Sequence, residues 1–381
     1  MMSQSGHEVV EQYDAWWEGR SDAPVINAIY PKENADFSEF IKPWMSPPVV
    51  NKWSPWQNEF IFGQAIDQIR KDGDWGHLDE ALDILEKYPD VTGNLREGYS
   101  FLHICLGPGA LTPYITDYFK FQDTTIWLEP EEDWEWDAIL EIDETTRSPY
   151  ADQAEEGTKK LVERLKGKYT FSAPDFTGPA DVLSSIRGNQ NLLIDLLMEP
   201  EKVQEALDRI EGLWRKTYRT YADIVNPVNE GLYTMVFRYL SSKPAHTSMC
   251  DFSALIGPEH FEQYIVPTLE RDAAMFPDRL AYHMDGPDQI KHLDLLLGID
   301  GLRVIQWVPG AGAPGGTDPQ WDDLYRKILD ADRQIALSGV GKPEQVKALF
   351  KRFPAERFLV PTSANSREKA EEMVRAIEAV S

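Results

Sequence analysis

His283 and Asp285 stand two residues apart at the end of the apolar run in "RLAYHMDGPDQIKHLDLLLGIDGLRVIQWVPG". On a β-strand, side chains at i and i+2 share a face, so the imidazole and the carboxylate point the same way. Such a pair suits a divalent metal, zinc first among them, if a neighbouring strand brings a third ligand. Cys250 or His246, in the preceding run "HTSMCDFS", can supply it. Without a metal, the same pair serves acid–base chemistry, binds substrate or simply orders its loop. Cys250 itself reads as a small buried hydrophobe before it reads as a nucleophile.

Other polar residues close apolar runs in the same manner. Gln306 and Trp307 precede Val-Pro-Gly and offer a hydrogen bond and a stacking face, or else packing. Asp175 in "SAPDFTGPAD" either binds a cationic or hydroxylated substrate group or caps the helix that starts near Asp181. Arg238 in "VFRYLSS" is a candidate clamp for a carboxylate or phosphate, with a solvated loop arginine as the alternative. Asp251 and Asn365 complete the candidate substrate contacts. The catalytic set is then His283, Asp285 and Asp175, and the metal set His283, Asp285 and Cys250. Neither Gly-x-Ser-x-Gly nor HExxH occurs, which leaves serine hydrolase and zincin readings without support.

These residues need a frame that gathers strand ends. Eight short apolar or β-branched runs follow residue 95: 100–108, 169–176, 231–237, 246–253, 279–286, 301–310, 333–340 and 357–364. Amphipathic helical patterns separate most of them, and several open with Ser, Asp or Pro as helix starts should. Strand–helix alternation argues for a parallel sheet with right-handed crossovers. Eight repeats suggest an α/β fold closed into a single (β/α)8 barrel, with the chemistry at the C-terminal strand ends. The link between the third and fourth runs is too short for a helix. A doubly wound open sheet is the alternative, but no GxGxxG turn follows the first run. Residues 1–95 read as a helical, Trp-rich extension packed on a barrel of residues 96–381. Nine of the twelve tryptophans fall in the first 140 residues, as an aromatic packing layer or as the wall of a pocket.

The chain has 381 residues and a formal net charge of −26, which disfavours nucleic acid and anionic membranes as partners. Two cysteines are too few for a disulfide framework and fit a reducing compartment. With no apolar run near 18 residues and no secretory leader, the expectation is a cytoplasmic protein, monomer or homodimer, acting on a small molecule.

Three stretches carry a resemblance: "PDFTGPADVLSSIRGNQNLLIDLLMEPEKVQEALDRI", "CDFSALIGPEHFEQYIVPTLERDAAMF" and "YHMDGPDQIKHLDLLLGIDGLRVIQWVPG". In type and order they resemble the uroporphyrinogen decarboxylase superfamily, from about residue 95 to the end. The resemblance implies a (β/α)8 barrel and one of two activities. One branch decarboxylates porphyrinogens, using an Arg-rich N-terminal loop and an Asp after its first strand. This chain has neither, its first run ending in "CLGPGAL". The other branch comprises zinc-dependent methyltransferases that work with a corrinoid partner protein and bind zinc through a His-x-Cys pair and a later Cys. His283 matches that histidine, Asp285 stands where the first Cys would be, and Thr362 and Ser363 lie near the second. The expected function is a metal-dependent methyltransferase exchanging a methyl group between a corrinoid protein and a small substrate. The alternatives are a decarboxylase for a carboxylated, tetrapyrrole-like substrate and a non-catalytic ligand-binding or corrinoid-docking subunit.

Overall fold

Each of the eight expected runs contains a strand in the computed structural model, which describes residues 5–40, 42–45, 57–116, 119–122, 125–128 and 134–380. In chain order the strands are β1 (Val25–Pro31), β2 (Thr92–Arg96), β3 (Phe101–His103), β4 (Phe119–Gln122), β5 (Thr125–Leu128), β6 (Thr170–Ser172) and β7 (Tyr233–Thr234). They continue with β8 (Leu240–Ser241), β9 (His246–Met249), β10 (Leu280–Asp285), β11 (Leu302–Val308), β12 (Gln334–Leu337) and β13 (Phe358–Ser363). Seven of them form one sheet in the order β2-β1-β13-β12-β11-β10-β9. All pairings in it are parallel except β1–β2. A second parallel pair, β3–β6, joins Leu102 to Phe171. Helices link the parallel strands, as βαβ crossovers require. Ser148 and Ser366 cap two of them, accepting from the amides of Ala151 and Lys369.

One correction concerns the N-terminal part. Residues 1–95 are not purely helical, because β1 lies inside the central sheet, with Val25 opposite Leu359 of the last strand. "VINAIYP" is a short apolar run between prolines, and its partner lies more than 300 residues away. No local pattern announces that pairing.

The short link between the third and fourth runs is explained by a hairpin. Tyr233 pairs antiparallel with Ser241, and Arg238 in the turn has φ 62°, a left-handed backbone that a non-glycine residue adopts at a cost.

The sheet separates two apolar layers. Its outer face packs on the helices through residues such as Ile26, Tyr282, Met284, Ile305 and Trp307. On its inner face Val25, Ala281, Val304, Ala336 and Leu359 meet α1 (Gly6–Trp17), which contributes Val9, Tyr13, Trp16 and Trp17. Those four follow i, i+4, i+7, i+8 spacing, one stripe of a helix. The small Ala281 and Ala336 leave room for the two indoles. Trp16 Nε1 donates to the Arg357 carbonyl and Trp17 Nε1 to that of Leu240, so both rings bury without an orphaned donor. These two tryptophans are therefore packing residues. Fully buried Arg279 pins the end of α1, donating to Ser241 Oγ at 3.0 Å and to Glu18 at 2.8 Å. No helix of the described residues is long and apolar enough to cross a membrane.

Candidate metal centre

Strand parity builds the site. On β10 the outer residues Leu280, Tyr282 and Met284 face the helices, leaving Ala281, His283 and Asp285 on the inner side. His283 pairs in register with Met249 of β9 and with Gln306 of β11. Asp251, two residues beyond Met249, comes to the same inner side at the strand end. One ligand atom from each of Asp251, His283 and Asp285 lies within 4.8 Å of the others, and His283 Nε2 is 4.0 Å from Asp285 Oδ2.

Gln306 orients the imidazole. His283 Nδ1–H donates to Gln306 Oε1, which leaves the Nε2 lone pair directed toward the two carboxylates. Phe237 stacks on the other side of the ring, 4.7 Å between centroids and 19° from parallel. A histidine held at one nitrogen and free at the other, beside two carboxylates, is the arrangement that ligates divalent metals. Three protein donors leave further coordination positions for a substrate. Two carboxylate oxygens and one imidazole form a harder set than the thiolate sites.

The surrounding acids respond to this crowding. Asp251 is solvent-accessible at the lip, yet its carboxyl is raised above the usual range, by partial desolvation first and by Asp285, while His283 opposes the rise. Burial lifts Asp175 to about 6, with the Thr177 amide and His283 pulling it down and Asp251 adding to the rise. Its Oδ1 accepts from Thr177 N at 2.9 Å, so Asp175 closes a turn. It does not cap the helix Pro179–Arg187, whose N-cap is Gly178. Burial and Asp251 push Asp181 to about 7. Its Oδ1 accepts from Phe252 N at 2.8 Å, which fixes the backbone carrying Asp251. Asp181 is a site-positioning residue outside the expected set. Its signal was its place in "GPAD", the third residue of a helix led by Pro.

Several expected site residues lie elsewhere. Cys250 is buried on the outer side of β9, and burial, then Asp181, pushes its thiol well up, so it is a poor thiolate ligand or nucleophile. Asp251 takes its place in the metal set. His246 sits on the outer side against Trp214 and Phe276, and burial drops its pKa to about 3. Trp307 is fully buried and meets Trp321 edge-on at 4.9 Å, because parity turns it away when Gln306 turns in. It cannot stack on a ligand at the strand ends. Arg238 lines a different pocket, between the ends of β1, β12 and β13. Asn365 is exposed on the turn after β13 and lines neither site.

No family model and no curated protein matches the chain. Among solved structures it is similar to a mandelate racemase/muconate lactonizing enzyme from Sulfitobacter sp, at 13% identity, covering 92% of this chain and 56% of that one, with a TM-score of 0.29. A second of the same description, from Jannaschia sp. CCS1, aligns at 12% identity over 91% of this chain and 57% of that one, also at 0.29. The chain thus spans just over half the length of these structures, and a likeness this distant transfers no chemistry.

Proposed function

We propose that the chain is a divergent, uroporphyrinogen decarboxylase-like (β/α)8-barrel enzyme that works with a divalent cation at Asp251, His283 and Asp285. The reaction we infer is exchange of a methyl group between a corrinoid protein and a small substrate, with zinc first among the cations. The observation that carries the metal part is the convergence of the three ligand atoms within 4.8 Å, with Gln306 holding His283 at the opposite nitrogen.

A divalent cation bound there supplies Lewis acidity, making an acceptor hydroxyl more acidic. The oxygen-rich donor set favours an alcohol or phenol over a thiol as the methyl-carrying group. Gln306 and Phe237 keep the imidazole in one orientation. Asp175, held near 6, can take up the acceptor's proton near neutral pH. A second reading, a lyase acting on a carboxylated substrate, draws on the same Asp175 as proton donor and on Arg238 as clamp.

The deciding measurement is elemental analysis of the purified protein and of His283→Ala. About one divalent ion per chain, lost in the variant, is expected. No metal in either protein after metal-replete expression overturns the metal-dependent mechanism. Loss of methylcobalamin absorbance on mixing with protein and a small alcohol or phenol then separates methyl transfer from the lyase reading.

A further inference from the structure

We propose that Gln289 and His292 are positioning residues for the metal ligand Asp251, tying its turn to the strand that carries His283 and Asp285. The inference deepens the functional reading and rests on the metal centre proposed there.

Asp251 needs such help. Among the described residues β9 is an edge of the seven-stranded sheet and pairs only with β10. The strand stops at Met249, and Asp251 opens the 3-10 turn Asp251–Leu255 beyond it. His283 and Asp285 are placed differently, since both lie within β10, opposite Gln306 and Val308 of β11. One ligand of the three therefore stands on a segment that the sheet does not hold. A metal site works when all its donors are fixed in advance by their surroundings.

The neighbouring strand sends out the brace. Directly after Asp285, Gly286 turns the chain with φ 84°, a conformation that side-chain-bearing residues resist. Its amide donates to the Val308 carbonyl at 2.8 Å, which anchors the 3-10 helix Pro287–His292 that follows. Three side chains of that helix donate to carbonyls of the Asp251 turn. Gln289 Nε2 reaches Cys250 at 3.3 Å, Lys291 Nζ reaches Ala254 at 2.8 Å, and His292 Nε2–H reaches Ser253 at 2.9 Å. Asp181 takes the Phe252 amide. Of the residues 250–254, all but Asp251 are thus tied through their backbone to a side chain from another element.

Burial singles out two of these contacts. Lys291 is exposed, where water competes for its bond. Gln289 is 1% exposed and His292 fully buried, its ring stacked on Phe261 at 4.2 Å between centroids. Each keeps one polar atom without a protein partner, Gln289 Oε1 and His292 Nδ1. Burying such an atom costs stability, which an apolar side chain of similar shape avoids. That exchange would not orphan the Cys250 carbonyl, because Ser253 N and Oγ also donate to it, at 3.2 and 2.6 Å. Stability of the fold alone gives no reason for an amide and an imidazole at these positions. Placement of Asp251 does.

The test compares Gln289→Leu and His292→Phe with wild type, each as the full chain. Zinc affinity, by competition with a chromophoric chelator, should fall roughly tenfold in both variants. The denaturant midpoint of Gln289→Leu should stay at or above that of wild type. Amide hydrogen exchange over residues 250–256 of the metal-free protein should quicken in both. An Asp251→Asn background then isolates the route. A positioning residue has nothing left to place there, so adding Gln289→Leu should change zinc affinity by less than about threefold. Zinc affinity within about threefold of wild type in either variant overturns the role of that residue. An equal loss in both backgrounds overturns the inference by marking a general effect on the fold, and so does a lowered midpoint for Gln289→Leu. Unchanged exchange over 250–256 does the same. Wild type that binds no divalent ion overturns the metal centre and this role with it, whereas failure in the variants alone leaves the metal centre standing.

Discussion

Gln306→Leu offers the sharpest test of the metal centre, because it removes a single contact behind the ligand and leaves all three donors in place. Gln306 is 4% exposed, so no water replaces its amide oxygen readily, and His283 Nδ1–H loses its acceptor. A buried donor left without a partner costs about 1–3 kcal/mol. The ring can escape that cost by moving its proton to Nε2, which then no longer offers a lone pair to a metal. Either route weakens metal binding by roughly 10- to 100-fold, or about 1.4–2.8 kcal/mol, the range usual for the loss of an outer partner of a ligating histidine. The assay is competition for zinc against a chromophoric chelator, with thermal unfolding as a control for folding. Gln306→Glu keeps an acceptor and adds negative charge, so it should bind zinc at least as tightly as wild type.

The pattern across variants decides. If Gln306→Leu stays within about threefold of wild type while His283→Ala loses the metal, Gln306 does not hold the ring and the argument about its tautomer is wrong. If neither variant affects binding, the metal lies elsewhere.

Other variants separate function from packing. Asp175→Asn should raise stability while lowering activity: a carboxyl lifted from 3.8 to about 6 favours its protonated form in the folded state. That destabilises the folded ionised protein by up to about 3 kcal/mol, absent below pH 4, growing as pH rises through 6 and constant above. Denaturant midpoints of wild type and variant should therefore diverge between about pH 4 and 6, and parallel curves would refute the burial argument. Trp307→Phe removes a buried Nε1–H that has no partner along with part of a packed ring, so a net cost of roughly 1–2 kcal/mol is expected. Metal affinity should not change, and a tenfold loss would return Trp307 to the binding site. Trp17→Ala should cost about 3–5 kcal/mol, measured by denaturant unfolding, because it empties the inner layer and orphans the contact of α1 with Leu240. Glu18, held near 2 by Arg20 first and Arg279 next, should stabilise the fold above about pH 4.5 and lose that effect as pH falls toward 2. The difference between wild type and Glu18→Gln should close over the same range.

Much of the frame was legible because strands and helices leave local periodicities. All eight runs after residue 95 hold strands, and the common face of His283 and Asp285 follows from an i, i+2 spacing alone. What was missed was non-local or hung on one residue of parity. β1 owes its place to Leu359 and Val360 at the far end of the chain. The hairpin around Arg238 depends on a positive φ at a residue type that does not announce one.

Parity also explains the two errors at the site, and they are the same error. Cys250 and Asp251 are neighbours, as are Gln306 and Trp307, and in each pair one side chain faces the helices while the other faces the strand ends. The sequence already held the means of choosing. Counting by twos along β9 from Thr247 through Met249 reaches Asp251, while Ser248, which donates to Asp272, and Cys250 between them face the helices. On β11 the same count from Val304, which packs on α1, reaches Gln306 and leaves Trp307 with Ile305 on the outer face. A thiol and an indole attract a chemical reading because of what they can do in general. The pleat decides what they can reach, and here it hands the inner face to a carboxylate and an amide. That exchange makes the donor set oxygen-rich, and it is the physical reason to expect an oxygen-bearing substrate.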